Sequence, residues 1–146
     1  MAELRDQSIL VTGPAGQIAF PLARELARTN EVWGIARWSQ PGSRERVEKV
    51  GVRAATVDLS APDWSALPER FDYVLHLAVL QQPGFDYDLA LRVNAEGTGL
   101  LMSRFRDAKA FLVVSTCGVY ASPEDPHHAI CERSEEHTSE LQSQFR

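Results

Sequence analysis

Two glycines near the start of the chain have the spacing of a loop that binds phosphate groups. Gly13 and Gly16 occur in GPAGQIA, between an apolar run and a helical pattern. Gly13 permits a tight turn, Gly16 lets a diphosphate approach the backbone, and the small Ala19 lets the helix pack closely on the strand. Gln17 and Ile18 begin the helix, whose free N–H groups would donate to the phosphates. In this strand–loop–helix context we predict a dinucleotide-binding loop rather than an ordinary glycine turn.

The residue after the second predicted strand bears on which dinucleotide binds. Proteins that bind NAD usually carry Asp or Glu at the end of this strand, where the carboxylate meets the ribose hydroxyls. Ala36 occupies that position here, and Arg37 follows it. A guanidinium suits the 2′-phosphate of NADP. We therefore predict NADP as the cofactor in preference to NAD; the alternative is that Arg37 is a solvated loop residue.

Apolar runs and helical periodicity alternate along the chain, which is typical of an α/β fold. Five strands are predicted, at residues 8–11, 32–36, 52–57, 73–78 and 110–115. Between them the pattern predicts a helix from residue 18, helices over 44–50 and 86–108, and a helical turn over 63–67. Right-handed crossovers would join the strands into a Rossmann-type, doubly wound parallel sheet with the order 3-2-1-4-5.

The same pattern predicts which side chains are buried. In the first helix, large apolar residues recur every four positions beside a stripe of alanines: Ile18, Leu22 and Leu26, with Ala19, Ala23 and Ala27. In the long helix the core candidates are Leu89, Val93, Leu100, Leu101 and Phe105. His76, inside the apolar fourth strand, is expected to be a hydrogen-bonded core histidine rather than a base or a metal ligand.

Five segments, in the expected order, resemble motifs of the extended short-chain dehydrogenases/reductases, the NAD-dependent epimerase/dehydratase type. Residues 12–19, TGPAGQIA, resemble TGxxGxxG/A, with Ala19 in place of the commoner third glycine. The others are VDL at 57–59, HLAV at 76–79, VNAEGT at 93–98 and VSTCGVY at 114–120. The resemblance spans about residues 7–126. It implies that Asp58 and Leu59 contact the adenine ring of the cofactor. It also implies cofactor contacts at Leu77, Ala78, Val79, Asn94 and Val114.

In this superfamily a Ser or Thr, a Tyr and a Lys carry the chemistry, and the resemblance identifies only the first of them here. Thr116 matches the hydroxyl that hydrogen-bonds the substrate oxygen; the alternative is a strand-end hydroxyl that caps a loop. Tyr73, Tyr87 and Tyr120 have no Lys four residues later. We therefore expect the catalytic Tyr and Lys to be absent from this chain, and the chain by itself to be inactive.

The resemblance implies an activity for the complete parent protein. That protein would be an NAD(P)-dependent oxidoreductase, epimerase or dehydratase acting on a sugar nucleotide or a related carbonyl or alcohol, with a homodimer as one expected assembly. The alternative is a non-catalytic dinucleotide-binding sensor or regulatory protein. A fragment without a function of its own is a third hypothesis.

Composition argues against several other classes of protein. The 146 residues carry a net charge of −5 with both signs interspersed, so we predict no nucleic-acid partner. The longest apolar run is too short for a membrane span, and the N-terminus lacks a signal-peptide pattern, so a cytoplasmic protein is predicted. Cys117 and Cys131, with His127 and His128, lack the paired spacing of a zinc site, so no metal is predicted.

The last residues are interpreted separately from the rest. Residues 133–143, RSEEHTSELQS, resemble the in-frame translation of a sequencing-library adapter. We therefore predict an incomplete Rossmann domain at residues 1–132 and a non-native tail at 133–146. A genuine disordered polar tail is the alternative.

Overall fold

A computed structural model describes residues 4–80 and 86–115 of the chain. The five strands in this part are β1 (Ser8–Thr12), β2 (Glu31–Ala36), β3 (Arg53–Thr56), β4 (Tyr73–His76) and β5 (Ala110–Val113). All neighbouring strands pair in parallel, in the order β3-β2-β1-β4-β5. The predicted fold class and strand order are therefore confirmed. Residues 4–80 and 86–114 fall within one compact unit.

The helices lie between the strands along the chain, as a doubly wound sheet requires. They are α1 (Ala19–Leu26), α2 (Ser43–Glu48), α3 (Tyr87–Ala90), a π-helical segment (Leu91–Glu96) and α4 (Gly97–Arg104). None of the helices in the described ranges is long and apolar enough to cross a membrane. The helical turn predicted over 63–67 is present as a single turn. It is a turn closed by a hydrogen bond of 3.0 Å from the Leu67 amide to the Trp64 carbonyl oxygen.

Strand β1 lies at the centre of the sheet, and its side chains are buried on both faces. Ile9 and Val11 pack into one apolar cluster, while Leu10 packs into the other. This alternation follows from the two-residue period of a strand. Because both faces are covered, the strand reads in sequence as a continuous apolar run, as parallel strands usually do. The sheet therefore holds the end of β1 rigidly where the glycine loop begins.

Helix α1 faces the sheet mainly with its alanine stripe, while the larger Phe20 and Leu26 are only partly buried beside it. Ala19 and Ala23 are buried, whereas Ile18 is 68% exposed at the N-cap position and Leu22 is half-buried. Small side chains on the contact face allow a helix to approach its neighbour closely. The prediction that Ile18 would belong to the core stripe is therefore wrong, and the expected close packing at Ala19 is present.

The long helix predicted over 86–108 is interrupted and shorter. A π-helical segment separates α3 from α4, and regular helix ends at Arg104. The buried positions Val93, Gly97, Leu101 and Phe105 lie four residues apart. A wider π turn favours this longer spacing. Leu100, predicted as core, is 48% exposed, because the π turn places Leu101 instead of Leu100 on the buried side of the helix.

Candidate dinucleotide-binding site

A cleft of about 320 Å³ opens where β1 to β4 end at their carboxyl edges. Ligands of open α/β sheets bind at this edge, where the strand order switches direction, here between β1 and β4. Eight predicted cofactor residues line the cleft: Gly13, Gly16, Arg37, Asp58, Leu59, Leu77, Ala78 and Val79. Ten others also line the cleft, of which the sequence analysis had singled out only the position of Ala36: Ala15, Ile35, Ala36, Trp38, Ser39, Gln40, Ser43, Val57, Leu80 and Val93.

The glycine loop forms one wall of the cleft and requires glycine at its first position. Gly13 has a φ of +65°, and a Cβ there would lie 3.1 Å from the Cα of Ala78. Its amide donates to the carbonyl oxygen of Ile35 at 2.9 Å, which fixes the turn to β2. A side chain at this position would strain the backbone and push against the loop that follows β4.

The amides that follow Gly16 are left without protein partners. The N–H groups of Gln17, Ile18 and Ala19 donate to no acceptor in the described part of the chain, whereas the Gly16 amide bonds to Gly13 at 3.0 Å. They lie at the N-terminus of α1, where unpaired amides and the helix dipole attract anions. No acidic side chain occupies the first turn. This end of the helix can therefore accept a phosphate or diphosphate group.

A buried hydrogen-bonded relay lies directly beneath the cleft. The Thr12 hydroxyl is 2.7 Å from Nδ1 of His76, and Nε2 of His76 is 2.8 Å from the Thr98 hydroxyl. Thr98 donates to the carbonyl oxygen of Asn94 at 2.7 Å, because a carbonyl can only accept. Thr98 therefore accepts from His76 Nε2–H, and Nδ1 of the neutral ring accepts from Thr12.

The same relay determines the charge of His76 and holds the end of β4. Thr12 Oγ1 also accepts from the amides of Leu77 and Ala78, at 3.1 and 2.9 Å, so it has no capacity left for a second N–H of His76. Burial lowers the pKa of His76, which favours the neutral ring. The prediction of a hydrogen-bonded core histidine is therefore confirmed.

Asn94 supports the cleft wall without lining the cleft. Its side-chain oxygen accepts from the Leu80 amide at 2.8 Å, and its Nδ2 donates to the Leu80 carbonyl at 3.3 Å. Nearby, the backbone at Gly97 approaches Leu59 so closely that a Cβ would lie 2.6 Å from the Leu59 carbonyl oxygen. Asn94 in the π-helical segment thus fastens the loop after β4, and the start of α4 packs against the loop after β3.

Asp58 and Arg37 bring opposite charges to the far end of the cleft. The Asp58 carboxylate accepts from the Ser60 amide at 2.9 Å and from its hydroxyl at 2.8 Å. The Ser60 amide bond is the main cause that lowers the pKa of Asp58, and the charge of Arg37 adds to the effect. No carboxylate lies within ion-pair distance of Arg37 in the ranges that the structure describes. Its guanidinium remains available to a ligand.

Comparison with known proteins places this arrangement in a family. The model of the NAD dependent epimerase/dehydratase family matches residues 9–142. The chain belongs to this family. The match runs into residues 133–143, whose adapter-like origin stays a prediction. No curated protein matches the chain significantly.

Solved structures of similar fold come from enzymes of the epimerase and short-chain dehydrogenase type. A UDP-N-acetylglucosamine 4-epimerase from Methanobrevibacter ruminantium M1, in complex with UDP-N-acetylmuramic acid, is 24% identical with a TM-score of 0.77, over 91% of this chain and 44% of that one. A UDP-glucuronic acid 4-epimerase from Bacillus cereus, in complex with NAD, is 25% identical with a TM-score of 0.72, over 88% and 45%. The chain thus spans less than half the length of these two structures.

The remaining epimerase-family motif residues fall in three places. Gln17 and Ile18 offer their amides while their side chains are exposed. The Val114 amide continues the pairing with β4 by donating to the His76 carbonyl at 3.0 Å, but its side chain does not line the cleft. Thr116 lies outside the described residues, as do both cysteines.

Apart from Arg37, the loop between β2 and α2 was missed because its residues carry no motif. Trp38 has a φ of +54°, and its indole N–H donates to the Ala55 carbonyl oxygen at 3.0 Å. This bond holds the loop over the end of β3. The only available signal was position, since residues directly after a parallel strand lie at the ligand-binding edge.

Proposed function

We propose that this chain binds a nicotinamide dinucleotide in the cleft, as the cofactor-binding part of an NAD(P)-dependent oxidoreductase, epimerase or dehydratase. The observation that carries the proposal is the run of amides at Gln17, Ile18 and Ala19, which follow the two glycines and have no acceptor among the described residues. These donors and the dipole of α1 suit a diphosphate. Family membership supports the same ligand.

The adenosine half of the ligand would lie toward the ends of β2 and β3. Asp58 and Leu59 line this end of the cleft, and Arg37 faces it without a partner carboxylate in the described ranges. Since β2 ends at Ala36, no acidic side chain is offered there to the ribose hydroxyls. We infer a preference for NADP over NAD, because Arg37 can pair with the 2′-phosphate.

The chemistry would belong to the complete protein. When bound, the nicotinamide ring gives or takes a hydride at C4. In the chain itself, the glycine loop would hold the diphosphate, Asn94 would keep the Leu80 loop in position, and the Thr116 hydroxyl would donate to the substrate oxygen. Two structurally similar proteins are named as epimerases of UDP-sugars, which supports a sugar nucleotide as the substrate class.

A calorimetric titration with NADP⁺ and NAD⁺ tests the proposal. The wild-type chain is expected to bind with one site per chain, and Gly13→Ala to weaken both ligands by about tenfold or more, since its Cβ strains the loop that holds the diphosphate. Gly51→Ala is the matched control, because Gly51 also has a positive φ, of +89°, and does not line the cleft.

Two results would overturn this proposal. One is the failure of a folded wild-type chain to bind either dinucleotide. The other is equal affinity in the Gly13→Ala and Gly51→Ala variants. Binding of NAD⁺ with at least the affinity of NADP⁺ would leave the dinucleotide site in place and contradict only the proposed preference.

A further inference from the structure

We propose that Arg46 is a specificity-determining residue that, together with Arg37, binds the 2′-phosphate of NADP. The inference rests on the proposed function and adds a second cation from a different element. Ser43, the first residue of α2, lines the cleft. Arg46 stands one helical turn later and therefore on the same side of α2. Its Nη2 donates to the carbonyl oxygen of Ala15, which itself lines the cleft.

The charge of Arg46 is not neutralised in the described part of the chain. Arg44, two residues earlier on the same helix, pairs with Glu48 at 2.9 Å and also donates to the Ala54 carbonyl. Arg46 has no carboxylate within ion-pair distance there. It lies instead over the ring of Phe20, 4.3 Å from the centroid. The ring and one carbonyl orient the guanidinium, and most of its five N–H donors have no acceptor among the residues that the structure describes.

Arg37 lines the cleft, whereas Arg46 does not line it and reaches its edge through the bond to Ala15. Arg37 follows β2 and lines the cleft, while Arg46 is anchored at Ala15 in the glycine loop, on the other side of the loop that joins β2 to α2. A phosphate monoester carries nearly two negative charges at neutral pH. Asp58 already offsets part of the charge of Arg37. A second guanidinium would add charge-assisted hydrogen bonds to a doubly charged 2′-phosphate at this position.

A guanidinium at the position of Arg46 would distinguish NADP from NAD by charge alone. NAD has a neutral hydroxyl where NADP has the phosphate, so it gains nothing specific from Arg46. Loss of Arg46 should therefore weaken NADP and spare NAD. A residue that merely fastens the glycine loop would affect both dinucleotides equally, because both carry the same diphosphate.

Four ligands distinguish these roles in the full chain: NADP⁺, NAD⁺, adenosine 2′,5′-bisphosphate and 5′-AMP. For Arg46→Met we expect the Kd of the two 2′-phosphorylated ligands to rise about tenfold or more, and that of the other two to change less than about twofold. Arg46→Lys should recover part of the loss. Arg44→Met is the control and should leave all four affinities unchanged.

Each of the other possible results contradicts the inference. Equal weakening of all four ligands by Arg46→Met assigns the residue to loop fastening only, and no change assigns it no role. If the wild-type chain binds NAD⁺ but does not discriminate NADP⁺, this inference fails while the dinucleotide site stands. If it binds neither, the proposed function and this inference fail together. Urea unfolding of each variant checks that the fold is retained.

Discussion

The Thr12 hydroxyl donates a hydrogen bond to Nδ1 of His76 across 2.7 Å, which joins the central strand to its neighbour directly below the cleft. Thr12 also accepts from the two amides that follow His76, so one side chain ties the start of the glycine loop to the loop after β4. The leading Thr of the TGxxGxxG/A motif therefore has a structural task here. It fixes the distance between two walls of the cleft.

Replacing Thr12 by Val should be strongly destabilising despite the similar shape. The substitution leaves His76 Nδ1 and the two amides of Leu77 and Ala78 without their shared partner, and each buried unpaired group costs roughly 1–3 kcal/mol. We expect the free energy of unfolding in urea to fall by about 2–4 kcal/mol. Thr29→Val is the control, since the bond of that hydroxyl to the Leu4 carbonyl is exposed to solvent. A loss at Thr12 no larger than at Thr29 would contradict the relay.

The stability of the chain should fall as the pH drops below about 6.5. Burial lowers the pKa of His76, so between that lowered pKa and its ordinary value near 6.5 the unfolded chain binds a proton that the folded chain does not. The free energy of unfolding must then rise with pH in this window and level off above it, with a slope of up to about 1.4 kcal/mol per pH unit.

Urea denaturation between pH 5 and 8, for wild type and His76→Gln, measures this slope. The variant removes the contribution of His76, while the three histidines outside the described residues remain in both proteins. A shallower slope in the variant supports a neutral, buried His76. Parallel pH profiles for the two proteins would rule it out.

Substitution by alanine should have opposite effects on stability at Gly97 and Gly99, two glycines of α4. Gly97→Ala places a Cβ 2.6 Å from the Leu59 carbonyl oxygen, a backbone atom that cannot move without shifting the loop after β3. A Cβ at Gly99 would meet no atom within 4 Å among the described residues, so alanine there should gain about 0.5–1 kcal/mol of helix propensity. Thermal unfolding should show Gly97→Ala less stable and Gly99→Ala slightly more stable than wild type. Similar melting temperatures would refute the close approach at Gly97.

Asn94→Ala should weaken dinucleotide binding although Asn94 does not line the cleft. The substitution removes both bonds to the Leu80 backbone, and a loss of about 1 kcal/mol in positioning corresponds to roughly fivefold in Kd. Asn30→Ala is the control, because Asn30 also donates to backbone carbonyls, those of Leu4 and Leu26, but does not line the cleft. Unchanged Kd values for Asn94→Ala would mean that the Leu80 loop needs no support.

The strand order and the glycine loop could be predicted because both depend on local pattern. Continuous apolar runs identify buried parallel strands, and right-handed crossovers leave few orders open. Gly13 could be recognised because a positive φ and a close backbone approach both exclude larger residues. Eight cleft-lining residues followed from these motifs and from positions at strand ends.

The parts that escaped prediction depend on contacts between distant residues. Arg46 meets Ala15 across 31 positions of sequence, and no spacing rule encodes that meeting. Periodicity marked Ile18 of α1 as core because it measures hydrophobicity and not the distance between a helix and its sheet. Leu100 was misplaced because one π-helical segment changes the phase of every residue after it.

The central claim is that the backbone N–H groups of Gln17, Ile18 and Ala19 bind the diphosphate of a nicotinamide dinucleotide, and amide-resolved NMR tests it most directly. In ¹⁵N-correlated spectra of the chain titrated with NADP⁺, these amides should show the largest saturable shifts, with smaller shifts at Ala78 and Leu80. Equal amounts of added chloride should not reproduce them. Saturable binding that leaves these amides unmoved, or no binding at all by the folded chain, would contradict the account.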